Sequence, residues 1–208
     1  MPSTHHILGV ILAGGRSRRF GGGDKGLADI CGQSILSRVI AGFRPQVGRL
    51  ALSVNGDAAR FSDLGIETIT DGESPELGPL SGILAAMDWV AGNAPSATLI
   101  ATVSSDVPFL PLDLVARLDA TRNDGVAIAA SQGRRHPTIG LWPLSLRHKV
   151  ADALVRRALS VNRLAEDLNA VAVDFPMRDI GGSEIDPFFN INTQDDLAAA
   201  RVFAQKEG

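Results

Sequence analysis

The chain has 208 residues, a length that fits one domain with a sizeable core and is short for two full ones. Hydrophobic residues make up 45% and charged residues 21%, which excludes a disordered, collagen-like or low-complexity chain. With 20 Lys+Arg against 23 Asp+Glu the formal charge is −3, which argues against a broad basic surface for nucleic acid or anionic lipid.

Ile7–Leu12 is an all-apolar run ended by Gly14 and Gly15, the pattern of a central parallel strand covered on both faces. No Lys or Arg precedes it and three Arg follow at once, so it reads as a strand and not as the core of a signal peptide. After a long glycine- and arginine-rich loop, Ser34 caps a helix whose apolar positions Ile35, Leu36, Val39, Ile40 and Phe43 recur at helical steps until Pro45. Leu50–Val54 and Ile66–Ile69 read as strands, Leu80–Val90 as a helix and Thr98–Val103 as a strand. Pro111 reads as the first-turn proline of a further helix. Val126–Ala130 and Ile139–Trp142 are strand-like, Ser145–Leu159 is helical, and Val171–Phe175 is a strand. Phe188–Thr193 is a short strand that places Asn190 and Asn192 on one face. Thr193–Ala204 closes the chain as a helix behind an acidic capping box, Thr193 to Asp196.

Strands alternating with helices predict an α/β fold: a single-domain, doubly wound, mostly parallel sheet of Rossmann-like type spanning residues 1–208. The lone cysteine, Cys31, forms no internal disulfide, and no His/Cys spacing suits structural zinc, so a reducing compartment is expected. No apolar run reaches the roughly 18–20 residues needed to cross a bilayer, and the expected location is the cytoplasm.

In such sheets ligands bind beyond the carboxyl ends of the strands, where Gly14–Lys25, Asn55, Asp71 and Asp106 all fall. The first loop, LAGGRSRRFGGGDKGL from Leu12 to Leu27, suits an anion: glycine lets backbone N–H groups approach phosphate oxygens, and Arg16, Arg18, Arg19 and Lys25 offset a triphosphate's charge. It is neither a G-x-G-x-x-G nor a Walker loop. Asp106, at a strand end beside Val107-Pro108-Phe109, suits a magnesium ligand, since Mg²⁺ takes one or two carboxylates and fills its other positions with water and phosphate. The same Asp can instead cap the turn into Pro111. Asn55 and Asp71 can hydrogen-bond a base or ribose edge, or simply close turns. Asn192 adjoins the last helix and can cap it, whereas Asn190 can face the cleft. Arg134, Arg135, His136, Arg147, Lys149, Arg156, Arg157 and Arg163 form a basic second half, read mainly as solvated surface.

The first loop, GPLSG at Gly78–Gly82, SSDVPFLP at Ser104–Pro111, HPTIGLW at His136–Trp142 and FNINTQDDL at Phe189–Leu197 together resemble the molybdenum cofactor guanylyltransferases over nearly the whole chain. The resemblance implies a nucleotidyltransferase that uses GTP and Mg²⁺ to transfer GMP to the phosphate of molybdopterin, with other cofactor-assembly proteins as partners and neither nucleic acid nor membrane. It implies that Leu12, Ala13, Gly14, Gly15, Lys25, Asn55, Asp71 and Asp106 contact GTP, that Asp106 also holds the metal, and that Arg19 and Lys25 join Asp106 in catalysis. Arg157, Asn190 and Asn192 are implied on the molybdopterin side. The rivals are a cytidylyltransferase for the same pterin, a sugar-phosphate nucleotidyltransferase, and a non-catalytic nucleotide or molybdopterin carrier.

Overall fold

The computed structural model describes residues 4–13, 25–70 and 77–207. Its centre is a seven-stranded sheet built from β1 (Ile7–Ala13), β4 (Arg49–Val54), β5 (Glu67–Thr70), β6 (Leu99–Ser104), β7 (Ala127–Ser131), β8 (Arg134–Pro143) and β9 (Val171–Asp174). The spatial order is β5-β4-β1-β6-β8-β7-β9. Only β8 runs against its neighbours within this sheet. Two small antiparallel hairpins lie outside it, β2–β3 (Asp29–Ile30, Gln33–Ser34) and β10–β11 (Arg178–Ile180, Ser183–Ile185).

Both faces of β1 are buried, and its side chains alternate between two cores because successive residues of a strand point to opposite faces. Ile7 and Ile11 join Leu36, Val39 and Phe43 of α1 (Ile35–Phe43) and Leu114, Val115 and Leu118 of α3 (Leu114–Thr121). Leu8, Val10 and Leu12 join Leu80, Ile83 and Met87 of α2 (Pro79–Asn93), together with Val150 of α4 (Arg147–Val155) and Leu164 of α5 (Val161–Asp167). Each fully buried Leu, Ile or Phe contributes about 1.5–3 kcal/mol, so two-sided burial anchors this strand. Gly9 is required by that packing, since a Cβ there would lie 2.7 Å from Cγ2 of Val47. A third cluster gathers Ile30, Ile35, Phe109, Ile180, Ile185 and Ile191 around Leu197 and Ala200 of α6 (Gln194–Glu207).

Four expectations are corrected. Pro111 does not open a helix: α3 starts at Leu114, and the Pro111 carbonyl accepts from Leu114 N–H at 3.3 Å and from Nε2 of Gln46 at 2.8 Å, which makes it a turn. The helix read over Ser145–Leu159 is shorter: α4 ends at Val155, and a separate helix not anticipated from the sequence, α5, begins at Val161. Arg157 adopts a left-handed φ of 54°, Arg157 N–H bonds Leu154 O (3.0 Å) and Ala158 N–H bonds Ala153 O (2.9 Å), the paired bonds of a Schellman ending. Ser160 then caps α5 by accepting from Arg163 N–H at 3.2 Å.

Ile139–Trp142 belongs to a longer strand, β8, whose pairing with β7 jumps from Ile128↔Gly140 to Ala129↔His136. Pro137 falls inside that jump, where its missing N–H cannot serve a ladder. Finally, Phe188–Thr193 is not a strand: Phe188 N–H bonds Asp186 Oδ1 (2.8 Å), Ile191 N–H bonds Asp106 O (3.0 Å) and Asn192 N–H bonds Asp196 Oδ2 (2.9 Å), so its donors go to side chains and a loop.

Candidate active site at the carboxyl ends of the strands

The sheet order reverses at β1, which has β4 on one side and β6 on the other, so the crevice of a doubly wound sheet opens there. Register aligns the three strand ends: Ala13 faces Val54, Leu12 faces Ser104, and Ser105 N–H bonds Leu12 O at 3.2 Å. Asn55 therefore stands on one flank of the β1 terminus and Asp106 on the other. Asn55 is half-buried, and its carbonyl accepts from Nη2 of Arg60 at 3.2 Å. Gly14, Gly15, Arg16, Arg18, Arg19, Asp24 and Asp71 lie outside the described residues.

Three residues far apart in sequence meet beside β1. Lys25 Nζ donates to Asp106 Oδ2 at 2.6 Å and to Asn192 Oδ1 at 3.1 Å. The Lys25 and Asp106 side chains are only 15% and 17% exposed, so their charge-assisted bond is only partly screened by solvent. Local order explains why they converge. Lys25 begins a single 3₁₀ turn (Lys25–Leu27) followed by the β2–β3 hairpin, which packs through Ile30 against α6. Asp106 follows β6, and its backbone carbonyl holds Ile191. Asn192 is fixed just ahead of α6 by the anticipated capping box: Asp196 Oδ2 accepts from Asn192 and Thr193 N–H at 2.9 and 2.8 Å, and Thr193 Oγ1 accepts from Asp196 N–H at 3.1 Å. These backbone bonds, foremost the one from Asn192, hold the Asp196 carboxyl below its usual range.

Thr193 thus supplies the capping side chain, and Asn192 is released for Lys25, contrary to its reading as a cap. Asn190 and Asn192 are both exposed and flank the buried Ile191. Arg157 is exposed at the end of α4, and no contact among the described residues joins it to this cluster. Other arginines of the second half have acidic neighbours at the surface: Arg163 with Asp167 at 3.2 Å, Arg135 with Glu166 at 3.7 Å, and Arg147 with Asp88.

Asp106 carries the feature a cation site requires. Its Oδ1 is buried and, among the described residues, has no hydrogen-bond partner, whereas Oδ2 takes the ammonium. A single carboxylate fits Mg²⁺, which binds protein through one or two carboxylates and substrate phosphates; no cluster of three acidic, His or Cys ligands occurs among the described residues. A second polar group lies further along the rim and was missed by sequence reasoning: Ser131, at the end of β7, meets Asp186 and His136. Burial holds the His136 imidazole below its usual pKa, with Arg134 acting in the same direction and Asp186 opposing.

A doubly wound α/β sheet whose strand-terminal crevice holds a partly buried lysine against a carboxylate, one oxygen of which has no partner among the described residues, fits a nucleotidyltransferase. Residues 9–171 match the family model of the MobA-like NTP transferase domain. The chain is 43% identical to the molybdenum cofactor guanylyltransferase of Bradyrhizobium sp. (strain ORS 278), covering 99% of this chain and 96% of that one. It is 45% identical to the enzyme of the same name from Mesorhizobium japonicum, over 96% of each. The fold is similar to a crystal structure of molybdopterin-guanine dinucleotide biosynthesis protein A from Archaeoglobus fulgidus, with a TM-score of 0.69 at 22% identity, covering 96% of this chain and 99% of that one. The chain belongs to the molybdenum cofactor guanylyltransferase family.

Proposed function

We propose that this chain transfers GMP from GTP to the terminal phosphate of molybdopterin, forming molybdopterin guanine dinucleotide and releasing pyrophosphate, with Mg²⁺ as its metal. The observation that carries this reading is the meeting of Lys25, Asp106 and Asn192 at the β1 crevice, in a chain of this family.

The residues divide the work by their hydrogen-bonding capacity. An ammonium has three N–H donors; Asp106 and Asn192 take two, leaving the third for a phosphate oxygen. Because Asp106 pins Nζ, the cation is already oriented when the triphosphate arrives and little reorganisation accompanies charge development on the departing pyrophosphate. Asp106 Oδ1 would hold Mg²⁺, which when bound neutralises phosphate charge and polarises the α-phosphorus. By the family resemblance, Asn55 and Asp71 would contact the nucleoside, Leu12 to Gly15 the phosphates, and Arg19 would add a further cation. Asn190, in the same exposed loop as Asn192, is the candidate for the acceptor side, with Arg157 a further one. A phosphate monoester is already an anionic nucleophile near neutral pH, so the reaction depends on positioning and electrostatics and needs no strong general base.

Incubation of the protein with GTP, Mg²⁺ and molybdopterin, followed by mass detection, is expected to yield the guanine dinucleotide and stoichiometric pyrophosphate. Product from CTP but not GTP would overturn the nucleotide assignment, and nucleotide binding unaffected by EDTA without pyrophosphate release would overturn catalysis.

A further inference from the structure

Residues 186–193 cross the rim as a strap tied at several points, and most of its ties are remote from the Lys25 cluster. At its far end Asp186 accepts from Phe188 N–H at 2.8 Å, from Ser131 Oγ at 2.8 Å (to Oδ1) and 2.9 Å (to Oδ2), and from Nε2 of Gln132 at 3.3 Å. Ser131 is fully buried, and its hydroxyl also lies 2.8 Å from Nε2 of His136. A hydroxyl has one proton. The carboxylate, as the stronger acceptor, receives that hydrogen bond, so His136 donates through Nε2 and Ser131 is donor to one group and acceptor from the other.

The next residues are held by packing. The Phe188 ring lies 4.9 Å from His136 and 5.3 Å, edge to face, from Phe175. Ile191 is buried and bonded to Asp106, and Asn192 reaches Lys25. Aspartates thus tie both ends of the strap, Asp186 at one and Asp196 at the other, and each accepts backbone N–H donors of the strap itself.

We propose that the Ser131–Asp186 latch, backed by His136, is a positioning device that sets Asn190, the exposed residue between Phe188 and Ile191, at the acceptor side of the site. Asn190 lies two residues beyond Phe188, which is tied to Asp186 and packed on His136, and one before Ile191, which is tied to Asp106, so a shift at the latch is transmitted to Asn190. None of the three latch residues touches the Lys25–Asp106 pair, and Asn192, which does reach Lys25, is held separately by Asp196, so the latch acts through Asn190 and leaves the nucleotide side unchanged. This rests on the function proposed above.

The test measures steady-state kinetics of wild type, Ser131→Ala and Asp186→Asn with GTP, Mg²⁺ and molybdopterin, alongside GTP binding by calorimetry. Ser131→Ala removes the hydroxyl that bridges the two groups, leaving Asp186 with only Phe188 and Gln132 as donors and the His136 N–H without its acceptor. It is expected to raise the KM for molybdopterin about tenfold or more while GTP affinity stays within about twofold. Asp186→Asn can keep the geometry by reversing the chain of donors: Oδ1 accepts from Phe188, Nδ2 donates to Ser131, and Ser131 donates to the other tautomer of His136. Asp186→Asn is therefore expected to hold the acceptor KM within about threefold of wild type. A Ser131→Ala enzyme with unchanged acceptor KM overturns the latch, as does an Asp186→Asn enzyme that is as impaired as Ser131→Ala. Absence of dinucleotide from the wild-type protein instead overturns the function on which the latch rests.

Discussion

Replacing Asp106 by Asn keeps the size and shape of the side chain while removing the charge that both Lys25 and a divalent cation require. In the fold, the change loses a charge-assisted bond of 2.6 Å between groups 15% and 17% exposed. Such bonds contribute about 1.5–3 kcal/mol when buried, and partial solvent screening lowers this to about 1–2 kcal/mol. In a chain of this length that is a fall in Tm of about 2–8 °C. Turnover should fall much further, because Oδ1, the oxygen without a partner among the described residues, becomes part of a neutral amide. Losing one preorganised electrostatic group of this kind costs about 10²–10³ in kcat. GTP binding measured in EDTA should be retained or strengthened, since Lys25 then faces the triphosphate without a competing carboxylate. The assay is GMP transfer by mass spectrometry at saturating Mg²⁺, with calorimetric GTP titration with and without EDTA. Turnover within tenfold of wild type would refute the argument.

Lys25→Ala should raise the KM for GTP at least tenfold with a smaller change in the acceptor KM, read by varying each substrate in turn, because it deletes the cation but leaves Asn192 fixed by Asp196. Gln46→Ala should cost about 2–4 kcal/mol without touching the site: the buried amide donates to Gly42 O and Pro111 O, both at 2.8 Å, and accepts from Val115 N–H at 3.0 Å, and water cannot replace all three bonds in an apolar environment. Urea denaturation would measure it. His136 is held below its ordinary pKa, so above about pH 6.5 it is neutral in both folded and unfolded chains, while below that value the unfolded chain takes up the proton first. Stability should therefore decline as pH falls from about 6.5 towards the folded-state pKa, and His136→Gln should flatten that part of the curve in pH-dependent urea melts.

The sheet was legible because its strands are apolar runs buried on both faces, as in Ile7–Leu12, and because the α1 cap is local: Ser34 accepts from Ser37 N–H at 3.0 Å. Lys25, Asp106 and Asn192 could be singled out as residues next to strand ends or helix starts, but their meeting depends on contacts 81 and 167 residues apart that no local pattern encodes. Arg157 misled the reading of α4 because a helix stop in the left-handed region normally falls to glycine or asparagine. The latch escaped notice because Ser131 looks like an ordinary strand residue. Its partner Asp186 precedes a proline, which usually signals a turn, and His136 comes within reach of Ser131 through the β7–β8 hairpin pairing that sets it opposite Ala129.

Because the lysine lies near one end of the chain and its asparagine partner near the other, the reaction centre is among the last parts of the molecule to come together. The closing helix reaches back through Glu207 to Arg38 and Arg178, and through Arg201 to the Asp29 carbonyl at 3.1 Å. During synthesis the sheet can fold while the ammonium still lacks one of its two partners, so a nascent chain would hold a nearly finished scaffold and an unfinished catalyst until its C-terminal helix docks.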